Sequence, residues 1–274
     1  MAVVIPYILF FLRAALCTLG PVVLCGLSVW LIRRLFCSLV GYGTGRSIII
    51  GTSIIGTPVH ELGHAAMCLL FGHRITEMSL WQPRSGNGRL GFVTHRYNPR
   101  NPYHQIGNLF IGLGPIFSGL LTVTLCLLAG FPHALDAYTT SARTLVSQGG
   151  WIVSVFKNGF DMIPQMWREA VAGGRPLWLC ITAVIVIFMV SQHISLSPED
   201  IKGAARALPL YALLLLMLTV TVGLIGTSAV QAADKALGLL AGYTTALFVL
   251  VLVASLLQLV PALVIFCIRK LAGH

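Results

Sequence analysis

Long apolar runs without charged side chains constrain the fold of this chain more than any other feature. Residues 208–230 and 238–267 are two such runs. An α-helix needs about 20 apolar residues to cross the roughly 30 Å of hydrocarbon in a bilayer. Only 9% of the residues are charged, 57% are hydrophobic and the mean hydropathy is +0.87, whereas a soluble domain carries roughly 25% charged residues. These values argue against a soluble protein and predict an integral membrane protein.

The apolar runs predict an all-α polytopic membrane protein with about six transmembrane helices in a single membrane domain, residues 1–274. The first run has no basic segment before it, so we expect a retained span and not a cleaved signal peptide. The predicted spans are 5–31, 47–72, 106–130, 177–196, 208–230 and 238–267.

The segment 73–105 has a different character. The runs Ile75–Trp81 and Leu90–Tyr97 have the composition of strands, and QPRSGNGR between them is rich in turn formers. We therefore predict a small membrane-associated β-hairpin after the second span, with a plain polar loop as the alternative.

The charge of +10 and the seven cysteines exclude some classes of function. The arginines are scattered through loops without a basic stripe that alternates with aromatics, which disfavours nucleic-acid binding. They fit loops beside the anionic headgroups of a lipid bilayer, and a slight excess of Lys and Arg on the hairpin side favours that side as cytoplasmic. No CxxC occurs, so the cysteines indicate buried apolar side chains and neither a disulfide framework nor a thiolate metal site.

The second predicted span contains His60-Glu61-Leu62-Gly63-His64, which fits the pattern H-E-x-x-H. Residues four apart share one helix face, so His60 and His64 can bind one Zn²⁺ ion. Glu61 lies about 100° further round the helix, where it can act as general base toward a water molecule that the metal polarises. Ionisable groups within a membrane are costly and tend to be functional, so a metal site is favoured over chance or a buried hydrogen-bond network.

A catalytic zinc usually has three protein ligands, so the third must lie elsewhere in the chain. The best candidate stretch is SQHISLSPEDIKGA at the end of the fourth span, which offers His193, Glu199 and Asp200. The second and fourth spans run in the same direction, so this stretch approaches the same membrane side as HELGH. The alternative is that Glu199 and Asp200 simply cap the next helix.

An apolar HExxH, a strand-rich segment, a GP-containing span and a Pro-plus-Asp motif follow one another over residues 47–207. This order resembles the site-2 proteases, a family of intramembrane zinc metalloproteases. The resemblance implies one zinc ion, and an active site near the cytoplasmic side of what we expect to be a bacterial-type plasma membrane. It also implies a catalytic core at 47–207 followed by two extra spans at 208–274. The parts of the core are the HExxH span at 47–72, the hairpin at 73–105, the GP span at 106–130 and the SPED span at 177–207.

Carried over to this chain, the resemblance implies His60 and His64 as zinc ligands, Glu61 as the catalytic base and Asp200 as the third ligand. SPED resembles the family's Asn-Pro-x-Asp-Gly motif but has Ser197 for Asn and Ile201 for Gly. These departures keep two alternative third ligands open, His193 and, more distantly, Asp161.

The stretch GLGPIFSGL resembles the family's GPxxN signature, with Gly114 and Pro115 matching and Ser118 in place of Asn. Glycines in such a span let a helix pack closely against the HELGH helix. The candidate substrate-binding residues are Gly114, Pro115, Ser197 and Pro198.

We therefore predict an intramembrane zinc endopeptidase that hydrolyses a peptide bond of a membrane-anchored protein or peptide. A free edge of the hairpin could pair with an unwound substrate segment. The alternatives are an ion transporter and a non-catalytic metal-binding membrane scaffold. The scarcity of polar side chains in the last two spans disfavours the transporter, and Glu61 beside the histidines disfavours a structural site.

Overall fold

A computed structural model of the chain describes residues 4–83, 89–148 and 151–271. The described residues form helices with one two-stranded β-hairpin after the HExxH helix, so the predicted all-α fold with a small hairpin is confirmed at this level. The elements are α1 (Val4–Val40), α2 (Tyr42–Leu70), β1 (Arg74–Ser79), β2 (Phe92–Arg96), α3 (Pro102–Gly130), α4 (Pro132–Ser147), α5 (Trp151–Val171), α6 (Leu177–Ser191), α7 (Pro198–Ala205), α8 (Leu208–Ile225), α9 (Thr227–Leu257) and α10 (Leu259–Leu271).

Six spans are not confirmed, because four helical segments in the described residues are long and apolar enough to cross a membrane. The helix α6 is apolar but has only 15 residues, and α2 carries Ser, Thr, His and Glu side chains along its length. The four segments long and apolar enough to span are Tyr7–Val40, Pro102–Gly130, Leu208–Ile225 and Thr227–Leu271. Leu16 in the first of them and Leu224 in the third are largely exposed, which indicates that these segments are inserted in a lipid bilayer.

The last two predicted spans meet at a different point from the one expected. The predicted spans end at residue 230 and begin again at residue 238, but the chain turns at Gly226, whose φ of 124° favours glycine, and α9 follows directly. Asp234 therefore lies on a helix, where its carboxylate pairs with Arg13 of α1 at 2.7 Å. The pair gives a counter-charge to an arginine that lies in an apolar stretch of α1.

Helices α2 and α3 pack antiparallel, with Gly107 against Phe71 and Gly114 against Gly63. A Cβ atom at Gly63 would lie 2.5 Å from the carbonyl oxygen of Gly114, so neither position has room for a side chain. Such small residues let the backbones of membrane helices approach closely. The contact holds the HELGH turn of α2 against α3.

The segment after α6, residues 192–204, runs along α3 in the direction of the N-terminal end of that helix. Gly119 of α3 lies against Ile194, and Gly112, two turns earlier in α3, lies against Asp200 and Ala204. Gly56 of α2 contacts Met189 and His193. The end of α6 and the start of α7 thus lie between α2 and α3, at the level of HELGH.

The hairpin folds back along α2. Its strands pair antiparallel, from Arg74 opposite Arg96 to Ser79 opposite Phe92, with an irregularity between Ile75 and Glu77. Beyond β1, the indole N–H of Trp81 donates to the hydroxyl of Ser53 on α2 at 2.9 Å. Within the predicted turn at 82–89, residues 84–88 lie outside the described part of the chain.

Two apolar clusters hold the helices together. The first joins α1, α3, α6, α7 and α9 next to the HELGH level, and its members include Val29, Ile116, Ile194, Phe248 and Val251. The second packs the helix pair α4–α5 against α3, α6 and α9, and its members include Leu127, Tyr138, Val155, Ile187 and Val249. The first cluster supports the site described next.

Candidate metal centre

His60 and His64 of α2 and Asp200 of α7 form a compact group that could hold a metal ion. His64 Nε2 lies 3.2 Å from His60 Nε2 and 3.1 Å from Oδ1 of Asp200. Oδ2 of Asp200 lies 3.8 Å from His60 Nε2. Among the described residues, this is the one group of three His, Cys, Asp or Glu side chains close enough together to do so.

Backbone carbonyl groups fix the orientation of both histidine rings. His60 Nδ1 lies 2.6 Å from the carbonyl oxygen of His193, and His64 Nδ1 lies 2.7 Å from that of Ile111. A carbonyl oxygen only accepts hydrogen bonds, so each Nδ1 donates and each neutral ring keeps its lone pair on Nε2. Two lone pairs and a carboxylate then face one another, an arrangement that a cation would stabilise.

Pro115 explains why the carbonyl oxygen of Ile111 is available to His64. In a regular helix this oxygen would accept the amide hydrogen of residue 115, but proline has no N–H group, and Pro115 lies inside α3. The carbonyl therefore bonds to the histidine of the neighbouring helix. The GP motif thus acts on the orientation of the His64 ring.

Asp200 both caps a helix and joins the metal centre, so the two sequence-based interpretations are compatible. Its Oδ2 accepts the backbone N–H of Ser197 at 2.7 Å, and the Ser197 hydroxyl accepts the N–H of Asp200 at 3.2 Å. This reciprocal capping box begins α7. The cap leaves Oδ1 directed at His64.

The alternative third ligands lie elsewhere. The ring of His193 contacts two hydroxyl groups of α2, with Nε2 3.1 Å from Thr52 Oγ1 and Nδ1 3.4 Å from Thr57 Oγ1. His193 contributes its backbone carbonyl to the site, where it orients His60. Asp161 is exposed on α5, and the structure does not bring it into the group.

A cleft of about 870 Å³ contains the metal centre, and Glu61, only 6% exposed, lines it. Gly91, just before β2, lies directly on this glutamate: a Cβ atom at Gly91 would lie 2.8 Å from Glu61 Cγ and 2.7 Å from Thr57 Cγ2. The hairpin therefore covers one side of the cleft. The side chain of Glu61 lies between the hairpin and the metal centre.

The four candidate substrate-binding residues divide into two pairs. Ser197 and Pro198 line the cleft. Gly114 and Pro115 do not line it. Gly114 instead allows the close contact between α3 and α2, and Pro115 leaves the Ile111 carbonyl without its helical hydrogen-bond donor.

The base of the hairpin is held by histidines. His73 Nε2 donates to the carbonyl oxygen of His104 at 2.8 Å, so its Nδ1 is left to accept from His95 Nδ1 at 3.0 Å. Burial, and after it the charges of the neighbouring His73, His64 and Arg206, lowers the pKa of His95 to about 4. The pKa of His73 is lowered too, first by burial. Both rings are therefore favoured in the neutral form that this contact needs.

Sequence reasoning missed three residues that line or cover the cleft: Arg33, Gly91 and His95. Arg33 could have been identified as a candidate functional residue from the sequence, because it is a charged side chain within a long apolar helix. Gly91 and His95 have no such signal, because their roles depend on how the hairpin docks on α2.

Comparison with known proteins gave no relative for this chain. No protein-family model, curated protein or solved structure was found to match it. The functional argument therefore depends on the geometry of the site and on its motifs.

Proposed function

We propose that this chain is an intramembrane zinc endopeptidase of the site-2 protease type, which hydrolyses a peptide bond in a membrane-anchored protein or peptide. The observation that carries this proposal is the shared cleft. It contains a group suited to a metal ion, His60, His64 and Asp200, together with the buried carboxylate of Glu61. A structural metal site would need only the first of these.

The donor set fits zinc. Two imidazole nitrogens and one carboxylate are common zinc ligands, and tetrahedral coordination at about 2.0–2.1 Å separates ligand atoms by about 3.3 Å. The separations in the group are 3.1, 3.2 and 3.8 Å. When bound, zinc supplies a Lewis acid that polarises a water molecule and the scissile carbonyl group. Three protein ligands leave a coordination position open for this chemistry.

Glu61 is the proposed general base. Its carboxylate takes a proton from the attacking water and then delivers it to the leaving amine. Gly91 packs against its side chain, which limits the freedom of the carboxylate and keeps bulk water from one side. The carbonyls of His193 and Ile111 hold the two histidines in the protonation state that ligation requires.

The hairpin supports binding of an extended substrate. Residues 92–95 of β2 line the cleft, and among the described residues β2 pairs with β1 alone. Its second edge can therefore accept a substrate strand through backbone hydrogen bonds. The proposed enzyme is a multi-pass protein of a plasma membrane that receives its substrate from the bilayer, with the cleft nearer the cytoplasmic side. The long apolar helices support its insertion in a membrane.

Metal content and cleavage test the proposal together. The purified protein is loaded with Zn²⁺ and incubated with a set of single-span peptides of varied sequence, and fragments are read by mass spectrometry. We expect about one zinc per chain and cleavage in the wild type. Glu61→Gln should keep the zinc and abolish cleavage, since it loses only the base.

Ligand variants identify the third metal contact. Asp200→Asn keeps an oxygen for the α7 cap but loses the negative charge, so we expect a folded protein with little zinc. His193→Ala removes the ring and leaves the carbonyl that orients His60, so it should retain zinc. A folded wild type that takes up no zinc, or cleavage that persists in Glu61→Gln, would refute the proposed function.

A further inference from the structure

A second charged group lies in the cleft, on a different helix from the proposed catalytic residues. Arg33 is located in α1, which has no acidic residue in its sequence, and it lines the cleft. Nη1 of Arg33 donates to Oγ of Ser195 at 2.7 Å. Ser195 is 7% exposed and lies two residues after His193, whose carbonyl orients His60.

No carboxylate in the described part of the chain forms an ion pair with Arg33. The guanidinium has five N–H donors, and a neutral hydroxyl compensates neither its charge nor most of these donors. Placing a charge in an apolar helix is costly and tends to be functional, so an unmatched arginine beside the metal centre needs an anionic ligand.

The rim of the cleft has the same sign of charge. Arg34, Lys202 and Arg206 line it, and among described residues none of them pairs with Asp or Glu. Glu199 also lines the rim, whereas Glu61 and Asp200 are committed to the proposed chemistry. The field at the entrance therefore attracts an anionic segment.

We propose that Arg33 binds a carboxylate of the peptide substrate and makes the chain selective for substrates with an acidic group close to the scissile bond. The guanidinium fork matches a carboxylate in a bidentate pair, and Ser195 holds the fork in place. The carboxylate comes from an Asp or Glu side chain or from a free C-terminus. This inference rests on the proposed function and specifies the substrate class for the same cleft.

Peptide binding tests the inference without cleavage. In the Glu61→Gln background, zinc-loaded protein is titrated with fluorescent single-span peptides that share one core and carry Glu, Gln or Lys at successive positions near the membrane boundary. A second pair differs only in a free or amidated C-terminus. At the preferred position, replacing Glu by Gln should raise the Kd about tenfold or more, and the C-terminal pair shows which source of carboxylate is used.

Variants of Arg33 separate recognition from a structural role. Arg33→Gln should abolish the preference for Glu over Gln, Arg33→Lys should keep part of it, and Arg33→Glu should shift the preference to Lys. Arg143→Gln is the matched control, because it removes one positive charge from the exposed face of α4 outside the cleft lining; it should keep the preference.

The inference and the proposed function can fail separately. Equal affinity for Glu, Gln and Lys peptides and for both C-termini would overturn the inference even if the wild type cleaves them all. An equal loss of affinity for every peptide in Arg33→Gln and Ser195→Ala would also overturn it, because it would show that Arg33 only anchors α1. A carboxylate preference that depends on Arg33 would support it even if no peptide were cleaved.

Discussion

His64 of α2 donates its Nδ1 hydrogen to the carbonyl oxygen of Ile111 on α3 over 2.7 Å. This bond crosses between two helices, and it is possible because Pro115 leaves the Ile111 carbonyl without its helical partner. It directs the Nε2 lone pair of His64 at His60 and Asp200. A proline that breaks no helix thus controls the orientation of a proposed metal ligand.

Replacing Pro115 with alanine should weaken metal binding. The new amide at position 115 would donate to the Ile111 carbonyl and compete with His64, which loosens the ring that the metal needs. Loss of an outer hydrogen bond of this kind typically weakens metal affinity about tenfold or more, and we expect a fall of about tenfold in zinc affinity, measured by competition with a chromophoric chelator. Pro21→Ala in α1 is the control, since that proline is also inside a helix; equal zinc affinity in the two variants would contradict this role for Pro115.

Gly63→Ala should strongly destabilise the fold. Its Cβ would lie 2.5 Å from the Gly114 carbonyl oxygen and 2.6 Å from the Gly114 carbonyl carbon, and backbone atoms cannot rotate away as a side chain can. We expect a loss of about 3 kcal/mol in the free energy of unfolding, measured by denaturant titration in detergent. Gly51→Ala on the same helix is the control, because its Cβ meets no atom within 4 Å. Similar stability of the two variants would show that the helices do not touch at Gly63.

Gly91→Ala should lower cleavage while leaving zinc bound. The added Cβ would collide with Thr57 and with the Cγ atom of Glu61, so the hairpin or the base must move. A displacement of about 1 Å at a catalytic group can cost about a hundredfold in rate, and we expect a fall of at least tenfold in kcat/KM. Gly238→Ala, which has open space around it, should keep the wild-type rate. Full activity of Gly91→Ala would mean that the hairpin does not rest on Glu61.

Acidification should destabilise the hairpin through His95. Its pKa is about 4 in the folded chain, below its ordinary value of 6.5, so the fold favours the neutral ring. This contribution is complete above pH 6.5 and is lost progressively as the pH falls to about 4, because the unfolded chain takes up the proton first. The unfolding temperature should therefore fall by a few degrees more between pH 7.5 and 5 in the wild type than in His95→Gln.

Two further observations test this pH effect. The exposed His133 of α4 provides the control, and His133→Gln should keep the full dependence on pH. Nuclear magnetic resonance of the labelled histidines should show His95 titrating below pH 5. An identical pH dependence in wild type and His95→Gln would contradict the predicted role of the His73–His95 contact.

The sequence was informative wherever neighbouring residues along the chain determine the outcome. The spacing of four between His60 and His64 puts both rings on one helix face, and they meet as expected. The strand-like runs after α2 form a hairpin, because β-branched and aromatic residues with a turn between them favour local pairing. The length of the apolar runs indicated membrane helices. Four segments in the described residues are long and apolar enough to span a membrane; α2 is not among them because it carries polar side chains, and α6 is not because it is short.

Tertiary structure decided what depends on residues far apart in the chain. The sequence favoured Asp200 as the third ligand through the family resemblance but left His193 open, because the choice depends on where the end of α6 lies relative to α2. Close packing of α3 on α2 at Gly63, and of α7 on α3 at Gly112, brings Asp200 to the histidines and leaves the His193 ring with Thr52 and Thr57. Local sequence determined the helices and the two candidate ligands on one helix face. Only the packing of those helices determined the candidate third ligand, the position of the hairpin over Glu61 and the position of Arg33 in the cleft, because these contacts arise from the burial of surfaces that are distant in sequence.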